Sequence, residues 1–512
     1  MAIIIVPSWL RRNFIPILYL IIGAMALPLY RFHLCTDTPS YISVAKKYAA
    51  GDYLNAVNGF WSPLISWLLV PFLMLHIDPL VAFHIIGLLS GLVLIILLRK
   101  YFIMFEIDQN VANSFLLTSV LLCISIAYGY MTPDFLALPF LLVYIYILIS
   151  PGYLNRIQNA ILCGICAALA AYAKGYNFYF FAIHFFIIHA IWYYMAINTY
   201  SRKRLFTMLT CGLIPYLLLT IPWIYILYRK YGVMGFNTAG HYNLLYFGFG
   251  LSSPISKGGL FPLPNATAFS AWEDPYLMVK PDLNTVSMEN LIHLFENILR
   301  NIIASIDTYQ TMSWFAIPVM VYACLYLLKN RIEIYQNKIF IVILSMMIYN
   351  AGYLPFLITK RYLYFNMLLL FILGAFFISN HPIEFSLNRK LLIILTAISF
   401  LYFPVRDLYA NRYAGKENYV IANILQKNNI TGNYAANTEY DRTSFLAYFT
   451  ESRFFGIMAR DKELQQGDSD LSLYNIQYFF CWEGESCKCP TNNYKEVSIK
   501  ELTYPRMFKL GN

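Results

Sequence analysis

Charged residues are scarce in this 512-residue sequence. Asp, Glu, Lys and Arg make up 12% of it, roughly half the share found in soluble domains. This scarcity excludes a disordered chain and an ordinary cytosolic enzyme. The glycine-rich phosphate loops GxxxxGKS and GxGxxG are absent, so no nucleotide site is predicted. The eight histidines form no HExxH motif and the nine cysteines are scattered. We therefore predict no metal site, no cofactor and no dense disulfide framework.

What the sequence has instead is long apolar runs. Hydrophobic residues make up 59% of the chain and aromatic residues 18%. Eleven segments are apolar enough to cross a hydrocarbon layer of about 30 Å as helices, the shortest with help from flanking residues. We therefore predict an all-α polytopic bundle of about 11 transmembrane helices in a lipid bilayer. The segments are Phe14–Tyr30, Pro79–Leu98, Val111–Tyr130, Phe135–Ser150, Ile157–Ala173, Asn177–Tyr200, Leu205–Tyr228, Ser313–Leu328, Ile339–Ile358, Tyr362–Ser379 and Leu391–Val405.

Clusters of Lys and Arg lie at alternate ends of these segments and predict the orientation, because cytoplasmic loops carry an excess of both residues. The same bias accounts for the net charge of +10, so we predict no nucleic-acid partner. The clusters then face the cytoplasm from the plasma (inner) membrane. Three more polar pieces, residues 31–78, 229–312 and 406–512, face outward. The clusters are Arg11/Arg12, Arg99/Lys100, Arg156, Arg202/Lys203/Arg204, Lys329/Arg331/Lys338 and Arg389/Lys390.

The segment Trp61–Ile77 is apolar enough to form a further span, but a span there would move every later cluster to the other side. The charge bias favours a helix lying in the outer interface, with Trp61 and Trp67 as anchors. Before it, Tyr41 and the apolar residues behind it keep helical spacing, which predicts a short amphipathic helix.

The composition changes near Arg406, where Gly, Asn, Asp and Glu become common and apolar runs become short. We predict a transmembrane domain over residues 1–405 and a small extracytoplasmic α/β domain over residues 406–512. Three cysteines in this outer domain allow one disulfide, and we expect Cys481 to pair with Cys487 or Cys489.

Asp37 follows the first predicted span directly and precedes the short amphipathic helix. Two interpretations remain open. Asp commonly caps a helix N-terminus, whereas an acidic residue at the membrane edge is a candidate catalytic group.

Four more candidates lie at the same predicted outer boundary. Asp134 follows Pro133 in a turn, and Lys174 interrupts two apolar spans. Lys360 and Arg361, followed by Tyr362, oppose the positive-inside trend. Asp134 has an ordinary explanation as a helix cap, and Lys174 has one as a snorkelling side chain. Together, two carboxylates and three cations on one face suit a lipid-borne phosphate sugar, since Lys and Arg hold phosphate and a carboxylate accepts a hydroxyl proton.

These residues and their order resemble the GT-C superfamily of polytopic glycosyltransferases, which use polyprenyl-phosphate-linked sugars. The branch it looks like contains protein O-mannosyltransferases and the lipid A aminoarabinose transferase. The resemblance runs from about residue 10 to residue 380. The matching motifs are TDTPSYISVAKKYAAGDY, WSPLISWLL, MTPDFLALPF, AAYAKGYNF and KRYLYFNMLLLF.

The resemblance implies a role for each candidate. Asp37 would be the catalytic base, and Asp134 the second acidic residue near the acceptor. Lys174 and Arg361, with Lys360 and Tyr362, would line the donor phosphate. The implied reaction is a single displacement at the anomeric carbon with inversion.

Two departures from the family pattern bear on the acceptor. The adjacent acidic pair of the protein-modifying branch is absent, because Thr38 follows Asp37, and Tyr176 replaces the more usual Pro. We therefore favour an envelope glycan or glycolipid acceptor over a protein.

Rival interpretations are a transporter or flippase for a lipid-linked saccharide, a protein O-mannosyltransferase-like enzyme, and a non-catalytic envelope-assembly subunit. A transporter usually places ionisable groups near mid-membrane, where this sequence has almost none. Aromatic residues of the long outer loop could stack on sugars, although interfacial anchoring is favoured; they are Tyr242, Tyr246, Phe247 and Trp272.

Overall fold

The computed structural model describes residues 8–129, 131–195, 201–251, 255, 258–279, 286–329, 337–380, 386–458, 470–482 and 493–511. The chain divides into two compact units, each assembled from three stretches of sequence. Unit 1 comprises Met1–Leu29, Phe83–Ile226 and Leu291–Arg412. Unit 2 comprises Tyr30–Ala82, Leu227–Asn290 and Tyr413–Asn512.

The protein is mostly helical, as predicted, and every one of the eleven predicted spans overlaps a helix. The α-helices in the described residues are α1 Ser8–Tyr30, α2 Thr38–Ala49, α3 Tyr53–Ala56, α4 Leu64–Met74, α5 Pro79–Met104, α6 Gln109–Gly129, α7 Asp134–Leu148, α8 Ile157–Ala173, α9 Tyr176–Met195, α10 Arg202–Tyr231, α11 Ala239–Asn243, α12 Pro275–Met278, α13 Met288–Met312, α14 Ala316–Lys329, α15 Lys338–Ala351, α16 Tyr364–Asn380, α17 Ser386–Asn411, α18 Lys416–Lys427 and α19 Tyr440–Phe449.

Seven helices of the described chain are long and apolar enough to cross a membrane. An eighth span results if α13 and α14, which meet at 108°, are counted as one broken span. Four further apolar helices are shorter, namely α4, α7, α8 and α15. Helix α13 is not among the predicted spans, although it is one of the longest helices in the chain.

Helix α4 bears on the ambiguous segment Trp61–Ile77. Its eleven residues rise only about 16 Å, roughly half the thickness of the hydrocarbon core. By length α4 is therefore not a straight span, which supports the interfacial interpretation. The prediction of Trp61 as an interfacial anchor is wrong, however. Trp61 is 7% exposed, and its ring packs edge-on against Phe60 and Tyr41.

Two helices form the centre of unit 1. Almost every residue of α16 and most residues of α7 are buried, as expected for helices that are apolar on all sides. Helix α7 packs along α8, and α6 packs along α17. Helices α8 and α10 approach so closely that a Cβ on Gly164 would lie 2.1 Å from the Gly212 carbonyl oxygen. Small residues permit this contact between apolar helices.

Unit 2 combines helices α2 and α4, which pack together, with a six-stranded mixed sheet of order β1-β3-β2-β4-β6-β5. The strands are β1 Gly259–Leu260, β2 Asn433–Ala436, β3 Arg453–Ile457, β4 Tyr478–Cys481, β5 Tyr494–Ile499 and β6 Leu502–Leu510. Strands β3, β2 and β4 are parallel to one another, and helices α18 and α19 cover an apolar core beside them.

Strand β1 comes from the long segment 229–312, so the sheet is not built from the C-terminal residues alone. Cys481 in β4 is disulfide-bonded, which confirms that this cysteine pairs. Cys487 and Cys489 lie outside the described residues.

Candidate functional site

In unit 1, the predicted residues Asp134 and Lys174 form an ion pair. Asp134 lies in the first turn of α7, where the helix dipole favours a negative charge. Lys174 lies in extended backbone between α8 and α9. Their side chains are 8% and 16% exposed. The pair thus places a cation at the ends of the central helices, largely shielded from solvent.

An aromatic stack surrounds the Lys174 ammonium. The ammonium lies 4.0 Å from the Tyr362 ring centre and 5.6 Å from that of Tyr353, within the range of cation–π attraction. Tyr353 stacks on Tyr362 with centroids 4.9 Å apart, and on Tyr176 at 3.9 Å. Lys174 therefore contacts a carboxylate and an aromatic face at once.

The two cations before α16 have different surroundings. The Arg361 guanidinium carbon lies 5.2 Å from the Tyr362 ring centre, so Arg361 and Lys174 both contact one ring. Lys360 instead donates to Asp407 Oδ2 at 2.8 Å. Asp407 also accepts from Arg406 at 3.1 Å. The structure thus groups Lys174, Arg361 and Tyr362 with Asp134 and pairs Lys360 with a carboxylate that sequence reasoning missed.

The other predicted carboxylate, Asp37, belongs to unit 2 and lies directly before α2. Its side chain makes no capping hydrogen bond to α2, so the simple helix-cap interpretation lacks its defining contact. Asp37 Oδ1 accepts a hydrogen bond from the indole Nε1 of Trp272 at 3.4 Å. The carboxylate is therefore in contact with a tryptophan, to which the sequence analysis assigned only stacking or anchoring.

Next to Trp272 is the most deeply buried ion pair among the described residues, between Glu273 and Lys47. Their side chains are 1% and 4% exposed. Glu273 also accepts from Ser43 Oγ at 2.6 Å and from the Phe269 backbone N–H at 3.1 Å. Both carboxylate oxygens are thereby hydrogen-bonded, as a buried charge requires.

Asp274 follows Glu273 directly and is also a buried carboxylate. It is 2% exposed, and its Oδ2 accepts from the Tyr231 hydroxyl at 2.5 Å. Its other carboxylate oxygen has no hydrogen-bond partner among the described residues. Burial raises the pKa of Asp274 to about 6, against the opposing effects of the Tyr231 hydroxyl and the Lys230 charge.

Comparison by sequence and comparison by structure give different results for this chain. No protein-family model and no curated protein matches its sequence. Its structure is similar to ArnT, the lipid A aminoarabinose transferase, of Cupriavidus metallidurans bound to undecaprenyl phosphate. The TM-score is 0.58 at 13% identity, over 97% of this chain and 98% of that one.

The structure is also similar to the oligosaccharyltransferase of Archaeoglobus fulgidus in its apo form. The TM-score is 0.56 at 11% identity, over 93% of this chain and 70% of that one. The same enzyme with an inhibitory peptide and a dolichol-phosphate gives 0.52 at 11% identity, over the same shares. ArnT and the oligosaccharyltransferase are both GT-C glycosyltransferases. The chain has the GT-C fold. The resemblance predicted from the sequence is thus confirmed at the level of the fold.

Within this GT-C fold, sequence reasoning also missed residues that support the aromatic stack. Asn297 of α13 donates to the carbonyls of Pro355 and Phe356 at 3.2 and 3.0 Å. Asn301 donates to the Leu354 carbonyl at 2.8 Å. These amides satisfy backbone carbonyls between α15 and α16, next to the segment that carries Tyr353 and Tyr362. An available signal was the four-residue spacing of the polar residues Asn297, Asn301, Ser305 and Tyr309 along α13.

The aromatic residues of the long segment 229–312 differ in exposure. Tyr242 is 2% exposed and packs against Phe60 and Tyr246. Trp272 lies near Phe60 and Trp61, whereas Phe247 is 47% exposed. Tyr242 and Trp272 thus belong to a packed cluster of unit 2. Among the described residues, no three His, Cys, Asp or Glu side chains are grouped as metal ligands.

Proposed function

We propose that the protein is a polytopic membrane glycosyltransferase. It transfers a sugar from a polyprenyl-phosphate donor to a hydroxyl of an envelope glycan or glycolipid, with inversion. The observation that carries this proposal is the similarity over nearly the full chain to ArnT bound to undecaprenyl phosphate. The oligosaccharyltransferase structure that contains a dolichol-phosphate gives further support.

On the donor side, we assign phosphate binding to Lys174 and Arg361, with the Tyr362 hydroxyl and Lys360 as further ligands. Support comes from the two cations that contact one tyrosine ring in unit 1. Lys offers a compact charge, and Arg offers a planar fork that matches phosphate oxygens. Asp134 balances the Lys174 charge before the donor binds and is the proposed second acidic residue near the acceptor. The bond between Lys360 and Asp407 competes with any phosphate contact of Lys360.

On the acceptor side, we assign the catalytic base to Asp37. The acceptor oxygen attacks the anomeric carbon, and the bond from that carbon to the phosphate oxygen breaks. Asp37 takes the hydroxyl proton, and the polyprenyl phosphate leaves with the bonding electron pair. Base assistance of this kind is typically worth about 10²–10⁴-fold in rate. Cations on the leaving phosphate stabilise the charge that grows there.

For topology, we propose eleven spans in the plasma membrane, with the N-terminus inside and residues 406–512 outside as an extracytoplasmic domain. Helices α7, α8 and α15 have 15, 17 and 14 residues, so as spans they need flanking residues or local thinning of the bilayer. A reporter that is active only outside the cytoplasm should be active when it is fused after Asn512. Activity confined to cytoplasmic reporters would contradict this topology.

The function is tested with purified protein in lipid and radiolabelled polyprenyl-phosphate sugars. We expect transfer to an envelope glycolipid extract, with an inverted anomeric configuration in the product. Envelope glycans of cells with and without the gene, compared by mass spectrometry, should differ by one sugar unit. Transfer to Ser or Thr of peptides would instead identify a protein-modifying enzyme. Donor movement across vesicles without transfer would identify a transporter.

A further inference from the structure

A short segment of unit 2, residues 269–274, is bonded along one stripe of helix α2. Ser40, Ser43 and Lys47 recur at helical spacing and therefore lie on one face. Ser40 Oγ donates to the Trp272 carbonyl at 3.4 Å. Ser43 Oγ donates to Glu273 Oε2 at 2.6 Å. Lys47, one turn further, forms the buried ion pair with Glu273. The stripe thus fixes which residues of the segment face α2.

Further bonds hold the same two residues through their backbone. Trp61 Nε1 donates to the Trp272 carbonyl at 3.2 Å. Asn58 Nδ2 donates to the Glu273 carbonyl at 2.6 Å. Side-chain and backbone groups of the segment are therefore both fixed. A buried ion pair adds little net stability over well-packed apolar residues, but it defines one arrangement. The Lys47–Glu273 pair accordingly specifies register more than it stabilises the fold.

The consequence of this register is the orientation of one indole. With the Trp272 carbonyl held, its ring packs against Phe60 and Trp61, with centroids 5.8 and 6.1 Å away. The indole N–H is then directed at Asp37 Oδ1, 3.4 Å away. This contact is longer than the usual N–H···O hydrogen bond of about 2.7–3.2 Å. Hydrogen bonds of catalytic groups are often long in ligand-free enzymes and shorten when substrate binds.

We propose that Trp272 is the positioning residue for Asp37 and that the Lys47–Glu273 pair holds it in place. This inference rests on the proposed function, in which Asp37 is the base. An indole N–H can only donate, so it accepts no proton in competition with Asp37. It fixes the rotamer of the carboxylate and thus the direction from which the acceptor hydroxyl is deprotonated. Misplacing a catalytic group by about 1 Å can lower the rate by as much as 10²-fold.

The variant Trp272→Phe separates the hydrogen bond from the ring. Phenylalanine keeps an aromatic ring against Phe60 and Trp61 but removes the N–H. We expect turnover to fall about tenfold, with the KM for the polyprenyl-phosphate donor unchanged, because only the base is misplaced. The matched control is Trp67→Phe, the same exchange at a half-buried indole of α4 that packs edge-on against Tyr48. The control should keep wild-type turnover. Equal turnover in Trp272→Phe and wild type would overturn the proposal.

A double-mutant cycle distinguishes positioning from a general structural effect. If Trp272 acts through Asp37, Trp272→Phe should cause no further loss once Asp37→Asn has removed the base. The residual rate of the double variant should then equal that of Asp37→Asn. A further tenfold loss in the double variant would show that Trp272 acts independently of Asp37, and would overturn the proposal.

A spectroscopic measurement tests the contact without any activity. The chain has eight tryptophans, so ¹⁵N-tryptophan labelling gives a small set of indole N–H signals, and Trp272→Phe identifies one by its loss. Asp37→Asn should shift this signal and leave that of Trp67 in place. An unmoved Trp272 signal would overturn the proposal even if the enzyme is active. If wild type transfers no sugar from any polyprenyl-phosphate donor, the proposed function fails, while the shift still decides whether Trp272 holds Asp37.

Discussion

Each unit contains a poorly exposed Lys–carboxylate pair, and the two pairs have different surroundings. In unit 2, Lys47 and Glu273 are 4% and 1% exposed, and further hydrogen bonds occupy the carboxylate. In unit 1, Lys174 and Asp134 are 16% and 8% exposed, and the lysine also lies over the Tyr362 ring.

The difference separates a structural pair from a candidate binding group. Lys47 is enclosed, and its partner is fully bonded, so a ligand would have to dismantle the pair. The Lys174 side chain is 16% exposed, and its ammonium lies over an aromatic ring that Arg361 also contacts. An ammonium has three N–H donors, so it can donate to more than one acceptor. We therefore expect loss of Lys47 to affect stability and loss of Lys174 to affect donor use.

The largest expected effect follows from breaking the enclosed pair. Lys47→Met leaves the Glu273 charge buried without a partner, which should lower the free energy of unfolding by about 3–5 kcal/mol. Lys174→Met should cost less stability, because Asp134 lies at a helix N-terminus, but should weaken donor binding. Thermal unfolding in detergent measures the loss of stability in each variant, and titration with the donor measures the loss of donor binding.

A combined variant is the control for this comparison. Lys47→Met with Glu273→Met removes both buried charges, so most of the lost stability should return. If the Lys47→Met protein unfolds at the wild-type temperature, the ion pair between Lys47 and Glu273 is not a structural contact.

The second effect concerns pH and Asp274, whose burial raises the pKa from 3.8 to about 6. Between pH 4 and 6 the folded protein therefore holds a proton that the unfolded chain releases. The free energy of unfolding should therefore fall by about 3 kcal/mol as pH rises through this window. Asp274→Asn cannot ionise, so its unfolding temperature should lack this fall and exceed that of wild type above pH 6.

Asp52 offers a control of opposite sign. The Asn55 side chain bonded to it lowers the pKa of Asp52, so its contribution is lost as pH falls rather than as pH rises. Asp52→Asn should keep the fall between pH 4 and 6. A wild-type protein whose unfolding temperature does not change across this range would contradict the prediction for Asp274.

The third effect is catalytic and concerns Asp37. Asp37→Asn should lower turnover by about 10²-fold or more, because an amide cannot accept the acceptor proton. Since no capping bond is lost, the unfolding temperature should stay at the wild-type value. Asp37→Glu keeps a carboxylate one methylene further out and should give an intermediate rate. Near-wild-type turnover of folded Asp37→Asn protein would move the search for the base to Asp134.

The helices could be predicted because apolar runs of sufficient length are a local property of the sequence. All eleven predicted segments overlap helices, and α2 begins directly after Asp37, as its periodicity indicates. Helix α13 was harder to predict because its pattern is inverted. Its asparagines face the protein and bond carbonyls near Pro355, while apolar residues such as Phe295 and Ile303 are exposed. A segment with several polar residues does not resemble a span in a hydropathy analysis.

The candidate site could be predicted in part for the same reason. Asp134 and Lys174 are isolated charges beside apolar runs, so composition alone marks them. Glu273 gives no such signal, since its partner Lys47 is 226 residues away along the chain and only the fold shows that both are buried. The Asp407 partner of Lys360 is hidden in the same way. A long-range ion pair has no periodicity, and one sequence does not show which opposite charges meet.

The smallest expected effect concerns Arg361, whose planar guanidinium is a proposed ligand of the donor phosphate. Arg361→Ala removes a charged donor from the proposed phosphate site and should raise the donor KM about tenfold, the lower end of the effect of a charged hydrogen bond. Arg361→Lys keeps the charge but loses the planar fork, so it should recover only part of the affinity. The matched control is Arg406→Ala, since Arg406 also lies over an aromatic ring, 5.0 Å from that of Phe403, and is 60% exposed. That control should keep the wild-type KM, because an exposed arginine paired with Asp407 contributes little. If both arginine variants at 361 bind the donor as wild type does, Arg361 does not hold the phosphate, and Lys174 remains as the candidate among the described cations that contact the Tyr362 ring.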